Sequence, residues 1–291
     1  MRTESPNGVG YISQYKQDSP LHAEEQFTRT NHRFPQSTEE FLAQLLHDVP
    51  KIAVDWLSLG NDFARGLLER ERLKQAAKNG SGDFHGDGSV VFLAPGFGSM
   101  PIWYRPAVDF FEKAGYQPVS KFSNSIINLE PIGNKKREYM KMIIDLAQKS
   151  GQKVHYVGDS QGGLTAAALA VDFPKEFIQN VADVWFIGAP KPRRVNVLVG
   201  IAYLWSQLWY GGNDFKLAGK INQLDELVSD GRVSFQSIYR RRDVVLPDGL
   251  PIGKHYSTDG SHIGGAVNLK HLNLIVSNWN GNHNHNLKIN D

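Results

Sequence analysis

The chain of 291 residues contains no cysteine, no long hydrophobic run and almost no excess of charge of one sign. Without cysteine there are no disulfides, no thiolate metal ligands and no cysteine nucleophile. A formal net charge of +2 gives no electrostatic reason to expect a nucleic-acid partner. The opening segment Met1–Gly8 lacks the apolar core of a signal peptide, and no apolar run approaches the ~20 residues of a membrane-spanning helix. We therefore expect a cytoplasmic protein without a transmembrane segment.

Motifs of metal and cofactor sites are also missing from the sequence. It has neither a His-Glu-x-x-His pair nor an EF-hand loop. We therefore expect no metal and no cofactor in its chemistry. Hydrophobic residues make up 41% of the chain, which is enough for a substantial core in one large domain.

Changes in composition divide the chain into four regions. Residues 1–36 are polar and are predicted to be flexible. Residues 37–88 are predicted to form an N-terminal helical extension, because Ser37–Glu40 resembles a capping box and apolar residues then recur at helical spacing. Residues 89–279 alternate short apolar strands with amphipathic helices, and residues 280–291 form a polar tail. This alternation predicts an α/β fold with a mostly parallel sheet and helices on both faces.

The helical extension has three interpretations. It could pack on the core of its own chain, bind another protein, or lie on a membrane surface through residues 37–78. The charges of this segment are mixed rather than one-sidedly basic, which argues against an anionic membrane. Packing on the core is the simplest of the three.

One connection within the α/β region is unusually long. Residues 190–230 contain no obvious core strand but are rich in large apolar side chains. They form either an ordinary buried helix pair or a helical cap that lines an apolar acyl pocket. On the second interpretation the substrate-binding residues include Trp205, Leu208, Trp209 and Phe215.

A Gly-x-Ser-x-Gly motif is the most informative feature of the sequence. The β-prone run Val154–Val157 leads into Gly158-Asp159-Ser160-Gln161-Gly162, and an alanine-rich helical run follows at once. A tight turn between strand and helix exposes a nucleophilic serine above a parallel sheet. The simpler alternative is a glycine-rich turn whose serine only caps the helix. A trypsin-like site is excluded by Gln161 and by the strand and helix on either side.

A nucleophilic serine needs a base that takes its proton and an acid that orients the base. In this type of fold the chain order is serine, acid, histidine. Asp243 follows the predicted strand Val233–Tyr239, and His262 directly precedes the last predicted helix. His255 is the alternative base and Asp259 the alternative acid. His155 within a strand and His271 within a helix are predicted to be structural.

The oxyanion of an acyl-transfer reaction needs two fixed N–H donors. One is predicted to be the amide of Gln161, the residue after the nucleophile. The loop Pro95-Gly96-Phe97-Gly98 follows the first strand, and its glycines would let the Phe97 amide turn into the site. The alternative for this loop is an ordinary glycine turn.

Together these segments resemble the α/β-hydrolases, and among them the compact bacterial lipases and esterases. The resemblance covers residues 89–279 and rests on Val90–Gly98, Gly158–Gly162, Tyr239–Pro247 and Ser261–Gly264. It implies that Ser160 attacks, that His262 acts as general base and then acid, that Asp243 orients it, and that Phe97 and Gln161 donate to the oxyanion. Departures are Pro95 where the family often has His, Asp159 where lipases commonly have His, and the long 190–230 insertion.

These residues predict a serine hydrolase that cleaves carboxylic esters through an acyl-enzyme. The aromatic insertion favours a small-molecule or lipid ester with an apolar acyl chain. An acyltransferase or a thioesterase would use the same triad. A third possibility is a non-catalytic binding protein on a hydrolase scaffold.

Overall fold

The computed structural model describes most of the region predicted to be α/β and one helix before it. The described ranges are 52–79, 85–121, 127–189, 197–212, 231–240, 252–258 and 261–286, with residues 37, 39, 42, 43, 46, 214 and 224. Asp243, Phe215 and Asp259 lie outside the described residues, as do nearly all of residues 1–51.

A six-stranded sheet forms the centre of the molecule. Its strands are β1 Val90–Ala94, β2 Gln117–Ser120, β3 Val154–Asp159, β4 Val181–Ile187, β5 Ser234–Arg240 and β6 Lys254–Thr258. The spatial order is β2-β1-β3-β4-β5-β6, and every neighbouring pair is parallel. Parallel neighbours need crossover connections, which put all the carboxyl ends of the strands on one edge of the sheet.

Seven α-helices are described, and they cover both faces of the sheet. They are α1 Ile52–Asn79, α2 Pro101–Lys113, α3 Ile132–Ser150, α4 Gln161–Asp172, α5 Pro174–Asn180, α6 Val197–Trp209 and α7 Leu269–Asn286. A short 3₁₀ turn, Gly265–Val267, precedes α7. None of the helices within the described ranges is both long and apolar enough to cross a membrane.

The two faces of the sheet bury separate apolar clusters. Side chains alternate along each strand, so Phe92 packs on one face while Val91 and Leu93 pack on the other. The first face is covered by α3, α4 and α5, and the second by α2, α7 and Leu73 of α1. This confirms the predicted α/β architecture with helices on both sides.

Two elements were not predicted from the sequence. β6 is a partly exposed edge strand, and the run Lys254–Thr258 has no apolar alternation that would reveal it. α5 has seven residues, begins at Pro174 and buries one side chain, Phe177. Both are too short or too polar for their periodicity to be recognised.

Candidate functional site

A parallel sheet of this strand order, with a Gly-x-Ser-x-Gly turn directly after β3, is an α/β-hydrolase fold. In such sheets ligands bind outside the carboxyl ends of the strands. Several polar side chains of this chain converge on that edge.

Ser160 occupies the turn between β3 and α4. Its backbone has φ 49° and ψ −113°, and it is the one described non-glycine residue with positive φ. Such a conformation is strained for an L-residue and needs support from its surroundings. Glycine is required on either side of the turn: a Cβ at Gly162 would lie 2.1 Å from the Ala94 carbonyl oxygen, and one at Gly158 would lie 2.6 Å from the Gly163 nitrogen. The turn therefore holds the Ser160 hydroxyl above the sheet.

His262 lies beside this serine. Its Nε2 is 3.0 Å from Ser160 Oγ, although the two residues are 102 positions apart in the sequence. The imidazole belongs to a residue that is only 8% exposed, in the loop before the 3₁₀ turn. The structure thus brings together two of the three residues predicted to form a triad. The third, Asp243, lies outside the described part of the chain.

The other predicted histidines occupy different environments. His271 is buried, with Nε2 2.7 Å from Thr258 Oγ1 and Nδ1 2.8 Å from the Gly265 carbonyl oxygen. His155 pairs with Asp183 at 2.7 Å in the interior of the sheet.

His255, the alternative base, lies in the edge strand β6, where it is paired in register with Ser237. Partial burial lowers the pKa of the His255 imidazole below its ordinary value.

Helix α1 holds the loop that carries His262. Both oxygens of the buried Asp62 carboxylate accept backbone N–H bonds, from His262 and from Ile263, at 2.9 Å each. Further along the same helix, Glu69 accepts bonds from the Ser261 amide at 3.0 Å and from its hydroxyl at 2.8 Å. These contacts join residues about 200 positions apart, so no local sequence signal could have revealed them.

Close approach of α1 to this loop depends on two glycines. A Cβ at Gly66 would lie 3.1 Å from the Gly264 nitrogen, and a Cβ at Gly264 would lie 2.9 Å from the Gly66 Cα. Both positions are buried. A side chain at either would push the helix away and break the carboxylate contacts.

The loop after β1 passes close to Ser160 and carries the predicted donor Phe97. Around it, the Gly96 amide donates to the Tyr104 hydroxyl at 3.0 Å, and that hydroxyl donates to Asp159 at 2.7 Å. Burial, together with the charge of Asp159, raises the pKa of Tyr104 well above its usual value, so the phenol stays protonated. Among the described residues, the backbone N–H groups of Phe97 and Gln161 donate to no protein acceptor. They are thus available to a ligand.

A buried lysine lies behind this loop. Lys135 of α3 is 1% exposed and donates to Gln161 Oε1 at 2.8 Å and to Asn128 Oδ1 at 3.2 Å. Burial lowers the pKa of Lys135 to about 8, although the charges of Asp214 and Glu130 oppose the shift. Nothing in the sequence around Lys135 indicates a role for it in the site.

An apolar cavity of about 370 Å³ opens at Ser160 and His262. Its wall is built from α1, the loop after β1, the start of α2 and one side of α6, with the apolar side chains Leu59, Phe63, Met100, Trp103, Val199 and Ala202. A cavity of this size accommodates a small apolar ligand next to the serine.

Helix α6 lies within the segment predicted to be a cap, but its large residues point elsewhere. Trp205 is 55% exposed, Trp209 is 70% exposed and Leu208 is 71% exposed, and the three are not among the residues that line the cavity. The cavity is instead lined by Val199 and Ala202 of the same helix. Phe215 lies outside the described residues.

Asp214 ties α6 to the core. Its carboxylate accepts bonds from Tyr203 at 2.7 Å and Gln207 at 3.0 Å on α6, and from the amides of Ile132 and Gly133 at the start of α3 at 2.9 Å each. A carboxylate at a helix N-terminus is favoured by the unpaired amides there. The Tyr203 ring also packs edge-on against Phe97, with 5.4 Å between centroids.

Within the ranges that the structure describes, no three histidine or acidic side chains converge as metal ligands. The converging groups are a serine, an imidazole and the amides of the two adjoining turns. Such a set can transfer a proton from a hydroxyl and stabilise a developing oxyanion.

Comparisons with known proteins give matches to solved structures at low sequence identity. No family model matches the chain, and no curated protein matches it. Among solved structures, the mature lipase BlEst2 of Bacillus licheniformis is 13% identical, with TM-score 0.49, covering 68% of this chain and 94% of that one. A solved structure described together with the metagenome-derived lipolytic enzymes LipS and LipT gives 16% identity, TM-score 0.49 and coverages of 68% and 94%. A point mutant of the meta-cleavage product hydrolase CumD gives 18% identity, TM-score 0.43 and coverages of 68% and 93%.

Proposed function

We propose that this protein is a serine hydrolase of carboxylic esters that works through an acyl-enzyme. The observation that carries the proposal is the 3.0 Å contact between Ser160 Oγ and His262 Nε2 at the mouth of an apolar cavity. This is the distance at which a base accepts the proton of an attacking hydroxyl.

The reaction follows from this geometry in two halves. Ser160 Oγ attacks the ester carbonyl carbon while His262 Nε2 takes the hydroxyl proton, and a tetrahedral oxyanion forms. The carbon–oxygen bond to the alcohol then breaks, and His262 gives its proton to the leaving alkoxide. In the second half water attacks the acyl-enzyme, His262 again takes and returns a proton, and the acid leaves with Ser160 restored.

The oxyanion would be bound by the amides of Phe97 and Gln161. Both residues border Ser160, one in the cavity wall and one next to it in the chain. Their N–H groups donate to no described protein acceptor, and Gln161 is the first residue of α4, where the helix favours negative charge.

We assign the acid to Asp243. It follows β5, whose carboxyl end is on the same edge of the sheet as Ser160, and it has the chain position that the order serine, acid, histidine requires. Asp259 is the alternative, but it lies only three residues before His262 in the sequence, so an acid on a separate loop is the more natural partner.

The apolar wall of the cavity favours an ester with an apolar acyl chain, supplied as a small molecule or a lipid. An acyltransferase would share the first half-reaction and differ in what attacks the acyl-enzyme. A thioesterase would differ in the first half, where a thiolate leaves instead of an alkoxide. Trp205, Leu208 and Trp209 are exposed on α6, beyond the cavity wall, so they could contact only a substrate that extends out of the cavity.

We also retain the predicted division of the chain: a polar segment 1–36, an extension 37–88, a hydrolase domain 89–279 with a cap in 190–230, and a polar tail 280–291. A cytoplasmic location of the protein is a further proposal. So is a peripheral contact of residues 37–78 with a membrane or another protein. The contacts of Asp62 and Glu69 add that the extension also holds the loop of the proposed base.

Purified protein should hydrolyse p-nitrophenyl esters, and kcat/KM should peak at a chain length that fills the cavity, because a longer apolar chain buries more surface until space runs out. Rates of turnover of acetyl to palmitoyl esters measure this dependence on chain length.

A fluorophosphonate should label Ser160, and peptide mapping identifies the labelled residue. Partitioning of the acyl-enzyme mainly to a dilute added alcohol instead of to water identifies an acyltransferase, whereas absence of both turnover and labelling leaves a non-catalytic binding protein.

Substituting Asp62 with alanine should lower kcat about 10- to 100-fold, because misplacing a catalytic group by about 1 Å can cost on the order of 100-fold. The substitution leaves the buried His262 N–H and the partly buried Ile263 N–H without an acceptor, and an unsatisfied buried donor costs about 1–3 kcal/mol. It also frees the loop of His262. Steady-state kinetics and thermal unfolding measure both effects. Glu71→Ala is the matched control, because Glu71 is an exposed carboxylate of the same helix. Equal kcat values in Asp62→Ala and Glu71→Ala would show that the contact is not needed.

A further inference from the structure

The buried lysine behind the loop of Phe97 is the strongest feature that the proposed mechanism leaves unused. A lysine at 1% exposure is unusual, because transferring a charged ammonium out of water is costly. Its hydrogen-bond acceptors are the side-chain amide oxygens of Asn128 and Gln161. A charge held this way serves to fix those two amides in place.

Asn128 holds the loop of Phe97 through its side chain and its backbone. Its Nδ2 donates to the Gly96 carbonyl oxygen at 2.7 Å and to that of Pro95 at 3.2 Å. Its backbone oxygen accepts from Gly98 N at 2.8 Å, and its backbone N donates to the Ser99 oxygen at 2.8 Å. The whole turn is therefore attached to one asparagine.

The bond to the Gly96 carbonyl has a specific consequence. The Gly96 carbonyl and the Phe97 N–H belong to the same peptide unit, which is planar and trans, so the two groups point in opposite directions. Fixing the carbonyl on Asn128 therefore fixes the direction of the Phe97 N–H. The Gly96 amide, held by Tyr104, restrains the preceding peptide unit as well.

The other proposed donor is attached to the same network. Gln161 accepts from Lys135 Nζ through Oε1, and its Nε2 donates to the Glu130 carbonyl oxygen at 3.3 Å. Gln161 is itself buried, at 3% exposure. Lys135 thus connects the residue after the nucleophile with the asparagine that orients the Phe97 peptide.

We propose that Lys135, through Asn128 and Gln161, is a positioning residue that fixes both amide donors of the oxyanion hole and places a positive charge behind them. The inference rests on the proposed function. Removing one oxyanion donor outright costs about 10²- to 10³-fold in kcat. Loosening two donors without removing either should cost less, on the order of 10- to 100-fold, the size of loss that a misplacement of about 1 Å can cause.

The charge of Lys135 also predicts that kcat depends on pH. Lys135 faces Glu130 from the preceding loop, Asp214 from beyond α6, and Tyr139 from its own helix, with its ammonium 5.9 Å from that ring. Tyr139 and the Asp214 partner Tyr203 both have pKa values raised by burial, so neither titrates before the lysine. With the Lys135 pKa at about 8, its charge is lost as the pH rises through that value.

As the pH rises through this value, the free energy of unfolding linked to Lys135 should increase while kcat falls. The pKa of Lys135 is about 8 in the folded protein and 10.5 as the ordinary value. Between these two values the unfolded chain binds the proton and the folded chain does not, so the linked contribution to stability increases with pH. A fall of kcat above pH 8 therefore cannot be ascribed to unfolding driven by this lysine.

The test compares Lys135→Met with wild type and with Lys136→Met. Methionine keeps the apolar stem of lysine but has no donor and no charge. Lys136 is the matched control, since it pairs with Asp172 instead of with the loop network. We expect kcat for p-nitrophenyl esters to fall about 10- to 100-fold in Lys135→Met with KM changed less than about threefold, and Lys136→Met to resemble wild type. Wild-type kcat should decline above pH 8, corrected for spontaneous hydrolysis, and Lys135→Met should lack this inflection.

A second variant, Asn128→Ala, keeps the test decisive should Lys135→Met fail to fold. It removes the bond to the Gly96 carbonyl, and kcat should fall by a similar factor. If Ser160-dependent turnover is equal in wild type and in the folded Lys135 or Asn128 variants, the positioning role is rejected while the hydrolase proposal stands. If wild-type turnover survives Ser160→Ala, the hydrolase proposal itself is rejected.

Discussion

Replacing Ser160 with alanine should lower kcat for ester hydrolysis by on the order of 10⁶-fold, the loss seen when the nucleophile of a serine hydrolase is removed. The substitution deletes the one oxygen that lies 3.0 Å from His262 Nε2. No acyl-enzyme can then form, so fluorophosphonate labelling should disappear together with turnover. Single-turnover kinetics on the purified variant measures the residual rate.

The fold should survive this change. Alanine in place of Ser160 keeps the same strained turn and loses only one hydrogen bond, worth about 1 kcal/mol, from a partly exposed position. Thermal unfolding should therefore shift by only a few degrees. Ser150→Ala, at the far end of α3 where the hydroxyl bonds the Ala147 carbonyl, is the matched control for turnover. Full activity of Ser160→Ala would remove the basis of the whole assignment.

The turn at Ser160 was predictable because all of its determinants are local. An apolar strand, two glycines around a serine and an alanine-rich helix follow one another within a short stretch of sequence. The structure adds the reason for the glycines, since a Cβ at Gly162 would collide with the Ala94 carbonyl of the neighbouring strand. The parallel sheet followed from the same kind of evidence, the alternation of apolar strands with amphipathic helices.

The contacts that hold the loops of His262 and Phe97 were not predictable, because they come from distant residues that belong to no motif. Asp62 and Glu69 have the appearance of surface charges on an amphipathic helix, and nothing in their neighbours indicates that they accept bonds from the loop of His262. Lys135 likewise resembles an exposed helical lysine next to Lys136 and Arg137. Only the packing of α3 against the loop of Phe97 distinguishes it.

The predicted acyl-binding residues show a second limit of prediction from the sequence. The insertion was recognised by its aromatic content, which drew attention to Trp205 and Trp209. In the helix, the side facing the cavity is formed by smaller residues, Val199 and Ala202, while the two tryptophans stack on each other at 5.1 Å on the exposed side. Small side chains leave the space that a ligand needs, so size alone is a poor guide to which residues line a cavity.

His262→Ala should lower kcat nearly as much as loss of the serine, because the two act as one unit in proton transfer. Without the imidazole, Ser160 has no described base within hydrogen-bond distance. The loop itself should stay in place, because Asp62 is bonded to the backbone of residues 262 and 263 rather than to the imidazole. The rate of phosphonate labelling and the steady-state kcat, measured side by side, give the size of the loss.

His255→Ala tests the alternative base and serves as the matched control. His255 lies in the edge strand β6, whereas His262 Nε2 is in contact with the serine. We therefore expect His255→Ala to keep kcat within about threefold of wild type, as is usual for substitutions away from the reacting atoms. The reverse pattern, activity lost in His255→Ala and kept in His262→Ala, would move the base to His255. Asp62 and Glu69 hold the His262 loop and not β6. That result would therefore also show that these contacts of α1 do not position the catalytic base.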